Sequence, residues 1–212
     1  HHKQPPSISL SRESTLRIMT YNVHSCIGMD GKISPHRIAR VIARYKPHVI
    51  ALQEIDVSRP RTGCCDQAGI IARHLRMEHR FYASLRIEEE QYGNAILSCL
   101  PIEELFAESL PARKGAEPRS VFCAKVSLED DTGLYILNTH LGLHPMESNL
   151  QASFLEGPGV LGRFQGEKPL ILCGDFNSPP RSNVHRVLNG HLRDAQLLMK
   201  HHRPRNTWFS RI

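Results

Sequence analysis

Between Phe81 and Asn138 the sequence divides into short apolar segments, 81–85, 93–99, 102–106, 120–126 and 134–138, parted by turn-rich joints such as Asp130-Asp131-Thr132-Gly133. Segments this short match strands, not helices, and their close spacing describes a meander of largely antiparallel strands. The chain before the meander follows a different rule. Residues 16–23 alternate as a strand, and Ser34-Pro35 then supplies a cap and a first-turn proline to a helix that carries Ile38, Val41, Ile42 and Tyr45 on one face as far as Pro47. A second strand, 49–53, delivers Glu54, and Gln67 to Met77 places Ile70, Ile71 and Leu75 at helical spacing. Strand-helix-strand-helix followed by a meander predicts an α/β domain.

After the meander, residues 145–164 read as a helix interrupted at Gly157-Pro158-Gly159. Leu170-Ile171-Leu172-Cys173 then forms a buried strand that breaks into Gly174-Asp175-Phe176-Asn177. Pro179-Pro180 stops that strand, so Asp175 and Asn177 are expected on a stiff turn. Helical pieces follow at 182–188 and 194–200. Residues 1–14 are polar and without period; they are expected to form a disordered arm, with His1 and His2 the remnant of a purification tag, ahead of a single domain over 15–212.

The net charge of +6 suits an anionic partner, yet the basic residues are dispersed and form no block. No run reaches the roughly eighteen apolar residues of a membrane span. The six cysteines show no Cys-x-x-Cys pair, and Cys99, Cys123 and Cys173 lie in apolar runs. That pattern predicts reduced thiols and a cytoplasmic setting.

Several apolar strands end in polar groups: Tyr21-Asn22, Gln53-Glu54, Asn138-Thr139-His140 and the Asp175 turn. Such endings on neighbouring strands suggest a shared rim. Hydrolysis of a phosphate ester needs a carboxylate for a hard divalent ion, donors around the phosphoryl oxygens, a cation to offset developing charge, and a group to activate water. Glu54, Asn22, Tyr92, His140, Asp175 and Asn177 supply most of these parts. There is no His-Glu-x-x-His spacing for zinc.

The segments Thr20-Tyr21-Asn22-Val23, Leu52-Gln53-Glu54, Tyr92-Gly93-Asn94-Ala95-Ile96-Leu97-Ser98, Asn138-Thr139-His140-Leu141 and Gly174-Asp175-Phe176-Asn177 resemble, in order, motifs of the endonuclease/exonuclease/phosphatase superfamily, in a compact bacterial form. The resemblance implies the deoxyribonuclease-I-like fold: a four-layer α/β sandwich with two mostly antiparallel sheets face to face, helices outside and the active site at one end. It also implies residue roles. Glu54 matches the principal metal carboxylate and Asn22 its supporting amide, with Mg2+ or Mn2+ as the ion. Tyr92, His140, Asp175 and Asn177 match catalytic positions, and Asn94 lies beside Tyr92 on the substrate side. Apart from the resemblance, Arg119 stands ahead of a strand, within reach of a substrate phosphate.

The family pattern closes with an Ile-Asp strand and a Ser-Asp-His segment, and neither occurs before Ile212, although Thr207-Trp208-Phe209-Ser210 resembles the lead-in to them. The expectation is therefore a domain truncated at its C-terminus, lacking its closing strands and roughly thirty to fifty residues. The activity implied is divalent-metal-dependent hydrolysis of a phosphate ester by in-line attack of water, by a monomer. Nucleic acid, phospholipid and small phosphoester substrates stay open. The alternative is an impaired member that binds a phosphate ligand or nucleic acid without turnover.

Overall fold

The computed structural model describes residues 15–128, 132–164, 169–199 and Thr207. The arm expected over 1–14 and the Trp208-Phe209-Ser210 segment lie outside the described residues. The first half of the chain builds one sheet from β1 (Ile18–Asn22), β2 (Val49–Val57), β3 (Glu78–Ile87) and β4 (Glu90–Ser98), in the order β1-β2-β4-β3. The second half builds another from β5 (Ile102–Ser109), β6 (Ser120–Ser127), β7 (Gly133–His140) and β8 (Leu170–Asp175), in chain order. Each sheet holds one parallel pair, β1 with β2 and β7 with β8, and is otherwise antiparallel.

Three apolar clusters stack these sheets into four layers. Val49 and Ile96 of the first sheet meet Phe122, Ala124, Val126, Leu134 and Ile136 of the second, which makes the layer between the sheets. On the outer face of the first sheet, Ile50, Leu52, Ile55, Ala95 and Leu97 pack under α1 (Pro35–Tyr45) and α2 (Gln67–Leu75). On the outer face of the second, Val121, Cys123, Leu137 and Leu141 pack under α3 (Pro145–Glu156) and α4 (Asn183–Leu188). This is the expected α/β sandwich with helices outside. A fifth helix, α5 (Ala195–Leu198), follows, shorter than the 194–200 piece expected.

The helices begin where the sequence signals them. The Ser34 hydroxyl accepts from Arg37 N at 3.2 Å ahead of Pro35, and Asp66 accepts from Gly69 N at 2.8 Å to start α2. The interruption at Gly157-Pro158-Gly159 separates α3 from a 3-10 turn over Leu161–Phe164. All six cysteines are free, with Cys26, Cys123 and Cys173 buried, and burial pushes each of these three thiols up to about 12.

Strand β2 departs from the sequence reading. It does not end at Glu54 but runs on to Val57, because the β2–β4 register slips between Leu52 and Ile55 in a bulge. Val49 faces the other sheet and Ile50 and Leu52 face the helices. Strict alternation would then turn Glu54 toward the helices and Ile55 inward. Ile55 instead packs on the helix side, and Glu54, at φ 58°, is turned to the inner face.

The bulge is braced from the opposite sheet. Asn138 of β7 is fully buried; its Nδ2 donates to Leu52 O and Ala95 O, each at 2.9 Å, beside the break in register. Its Oδ1 accepts from Gln53 Nε2 at 2.8 Å. Gln53 and Asn138, read from sequence as part of a polar rim, are therefore an internal clasp between the sheets.

Candidate active site

The parallel pairing sets the ends of β1, β7 and β8 beside the β2 bulge, at one end of the cleft between the sheets. Asn22 closes β1, His140 closes β7 and Asp175 closes β8. The Asn22 amide joins the two carboxylates: Nδ2 donates to Glu54 Oε1 at 2.7 Å and to Asp175 Oδ2 at 2.9 Å, the latter across 153 positions of sequence. Its own oxygen accepts from His24 N at 3.0 Å, which fixes the amide's orientation. Asn22, placed by the sequence reading among the metal ligands, thus turns its nitrogen toward Glu54 and Asp175.

Asp175 also accepts from Asn177 N through Oδ1 at 3.0 Å, a side-chain-to-backbone turn that holds Asn177 at φ 45°. Asn177 Nδ2 donates to Leu141 O at 2.8 Å and lies 3.1 Å from His140 Nε2. The stiff turn expected after Gly174 is present, built by this Asp–Asn pair as well as by the prolines.

His140 is buried at 4% exposure, and Arg119 Nη1 sits 2.8 Å from its Nδ1. A guanidinium only donates, so Nδ1 accepts and the ring proton belongs on Nε2; Asn177 Nδ2, 3.1 Å away, is also a donor, so these two groups make no hydrogen bond to each other, and Glu54 Oε1 at 3.9 Å is the acceptor on that side. Burial first, and the Arg119 charge second, lower His140 to about 4, against a smaller opposing pull from Asp175. The imidazole is neutral at physiological pH, with its proton directed at the cleft.

Arg119 also reaches Tyr92 OH at 3.4 Å and pairs with Glu117 at 2.7 Å. Tyr92 and Asn94 alternate with Gly93 on the inner face of β4, at 4% and 2% exposure. Burial is the main cause pushing the Tyr92 phenol above its usual range. Asn94 Nδ2 and Arg119 Nε are buried without a hydrogen-bond partner among the described residues. Unpaired donors in an interior are uncommon, and two of them behind one cleft leave local positive potential there. The structure thus brings together Asn22, Glu54, His140, Asp175 and Asn177, with Tyr92 and Arg119 behind them and Asn94 on the adjoining wall.

Sequence reasoning missed His24 as a member. Its Nδ1 lies 3.2 Å from Glu54 Oε2, and its side chain is 77% exposed. His24, Ser25 and Cys26 adopt consecutive left-handed φ values of 49°, 50° and 57°. Left-handed residues in a row carry steric cost and cluster at functional sites, but none is glycine, so composition gave no signal.

The donor set can be tested against a hard divalent ion. Glu54 and Asp175 offer carboxylate oxygens held side by side by one amide, whereas no group of three or more His, Cys, Asp or Glu side chains among the described residues forms a ready cage. That fits Mg2+ or Mn2+ bound through one or two carboxylates with water and substrate oxygens completing the shell. It does not fit a structural zinc centre.

No curated protein matches the chain. Among solved structures, an endonuclease/exonuclease/phosphatase from Beutenbergia cavernae DSM 12333 superposes with a TM-score of 0.64 at 22% identity, over 82% of this chain and 52% of that one. The chain spans about half the length of that protein. The human Nocturnin catalytic domain with bound sulfate gives 0.61 at 20% identity, covering 81% of this chain and 68% of that one. The mannosyl-6-phosphatase Bt3783 of Bacteroides thetaiotaomicron VPI-5482 gives 0.65 at 15% identity, covering 83% and 70%. At these identities the likeness is one of fold. The model of the Endonuclease/Exonuclease/phosphatase family matches residues 19–212, which takes in every site residue described above, and the chain belongs to that family.

Proposed function

We propose that this chain hydrolyses a phosphate ester in the cleft between its sheets, with Mg2+ or Mn2+ as cofactor. The observation that carries the reading is the Asn22 bridge, which brings Glu54 and Asp175 from opposite sheets into one acidic locus facing donor-rich walls. Glu54 is the residue to hold the ion, with Asp175 beside it. When bound, such an ion offsets phosphoryl charge and raises the electrophilicity of phosphorus.

The protein's own groups account for the other requirements. His140 presents Nε2–H, and Asn177 its amide, to a phosphoryl oxygen; both are fixed beforehand, His140 by Arg119 and Asn177 by Leu141 O. Asp175 takes the proton of the attacking water, and the bond to the leaving oxygen breaks on the far side of phosphorus. Asn22 keeps Asp175 and Glu54 in register for these roles. Tyr92 supports the cluster from behind, its hydroxyl accepting from Arg119, and Asn94 stands on the adjoining wall. The substrate is read at the level of a phosphate ester, with nucleic acid, phospholipid and small phosphoester as its three sources.

The test is hydrolysis of bis-p-nitrophenyl phosphate with and without chelator. Turnover should depend on added Mg2+ or Mn2+ and vanish on chelation. Unchanged turnover in chelator would remove the metal from the reading, and absence of turnover under all metal conditions would remove hydrolysis.

A further inference from the structure

Next to the Glu54 locus, β2 continues to Asp56, which pairs across the sheet with Tyr92. The Asp56 carboxylate is fully buried, an unfavourable place for a charge unless the structure pairs it. Arg61 grips it as a fork, Nε to Oδ2 and Nη2 to Oδ1, both at 2.8 Å, and Thr62 Oγ1 adds a donor at 3.1 Å. Arg61 Nη2 also donates to Ser25 Oγ at 3.1 Å, which ties the fork to the left-handed turn after β1. Arg59 lies 3.8 Å from the same carboxylate and 3.3 Å from Glu90.

These contacts use one edge of the Arg61 guanidinium. Its Nη1 has no hydrogen bond among the described residues, and the side chain is 47% exposed. The guanidinium carbons of Arg61 and Arg59 stand 5.6 and 6.0 Å from the centre of the Tyr92 ring, whose hydroxyl is touched by Arg119. Three arginines thus surround one phenol beside the catalytic carboxylates. A guanidinium anchored through Nε and Nη2 to a buried acid and a serine, with both Nη1 hydrogens left free, is preorganised to donate to an anion.

We infer that Arg61, braced by Asp56 and flanked by Arg59, forms a second anion subsite against Tyr92, so that the preferred substrate is a phosphate ester carrying another phosphate group beside the one attacked. This rests on the phosphate-ester reading of the cleft. The second phosphate has two possible sources, the neighbouring phosphate of a nucleic acid strand or the other phosphate of a small bisphosphate.

The experiment is calorimetric binding in magnesium buffer, comparing thymidine 3′,5′-bisphosphate with thymidine 3′-phosphate, and fructose 1,6-bisphosphate with fructose 6-phosphate. Hydrolysis of bis-p-nitrophenyl phosphate is followed on the same sample. The wild-type protein should bind at least one bisphosphate about tenfold tighter than its monophosphate, the gain expected of one charge-assisted hydrogen bond. Preference in the thymidine pair alone identifies a nucleic acid strand as the source, and preference in the sugar pair identifies the small bisphosphate. In Arg61→Gln the ratio should fall to near one. Because that change strands a buried acid, the paired variant Asp56→Asn/Arg61→Gln provides a second measurement with no charge left unpaired. A wild-type ratio near one for both pairs, or a folded variant that keeps the wild-type ratio, overturns the subsite. Preference without hydrolysis leaves the subsite standing and removes the hydrolytic reading instead.

Discussion

Replacing Asn138 with leucine tests whether the sheet-to-sheet clasp holds the site in shape. Leucine keeps asparagine's branched heavy-atom skeleton with somewhat greater volume, so the change removes hydrogen bonds and leaves no cavity. Asn138 donates to Leu52 O and Ala95 O and accepts from Gln53 Nε2, all at 2.8–2.9 Å with no exposure to solvent. Gln53 Nε2 retains Ala51 O at 3.1 Å and Thr20 Oγ1 at 3.2 Å, so the main damage falls on the two carbonyls beside the bulge. A buried polar group deprived of its partner costs about 1–3 kcal/mol, which puts the total near 3 kcal/mol. For a domain of this size that lowers the melting temperature by about 6–12 °C. Urea unfolding followed by circular dichroism, with calorimetry as a second measure, reads the loss directly. Turnover should fall as well, because Leu52 adjoins the bulge that aims Glu54. A variant melting within about 2 °C of wild type would show that the bulge stands without the clasp, and the reasoning would fail.

Asp175→Asn should lower turnover of bis-p-nitrophenyl phosphate by about two to four powers of ten while shifting the melting temperature little, since the half-buried side chain loses charge but little volume. Retention of full turnover, or unfolding, would count against its role. His140 gives the metal-free protein a pH signature. Unfolded, it takes a proton near 6.5; folded, it stays neutral to about 4, so between these values the unfolded state binds more protons and stability falls as pH drops. The loss should approach about 3 kcal/mol, seen as a lower urea midpoint at pH 4 than at pH 7, and His140→Gln should lack that part. Equal pH dependence in the two proteins would refute it.

Much of the layout was readable because it rests on local chemistry. Ser34-Pro35 and the break at Gly157-Pro158-Gly159 mark their helix boundaries with groups that act on adjacent residues. Apolar runs likewise located the eight strands of the described residues, with ends shifted by a few residues. What failed was inference through a change of period. At Gln53-Glu54 the polar pair looked like a strand end, but the bulge resets the alternation and the strand continues through Ile55 and Val57. Gln53 and Asn138 were misread for the same reason: an interior amide and a rim amide have one sequence signature, and only the facing sheet tells them apart. Arg119 was placed at the substrate, yet its closest site partner is His140, a long-range relation with no local mark. Arg61 and His24 are set by tertiary contacts to Asp56 and Glu54, one through a buried fork and the other from a left-handed turn.

Each sheet is drawn from one uninterrupted stretch of chain, 18–98 for the first and 102–175 for the second, with only a few residues between them. The molecule therefore lends itself to assembly by halves, each closing its own short-range pairings before the two dock. Docking is the event that creates Asn22–Asp175 and Gln53–Asn138, contacts separated by 153 and 85 positions. During synthesis the first half can emerge and pair its strands while the acidic locus does not yet exist. On refolding, secondary structure should return ahead of any capacity to bind a divalent ion.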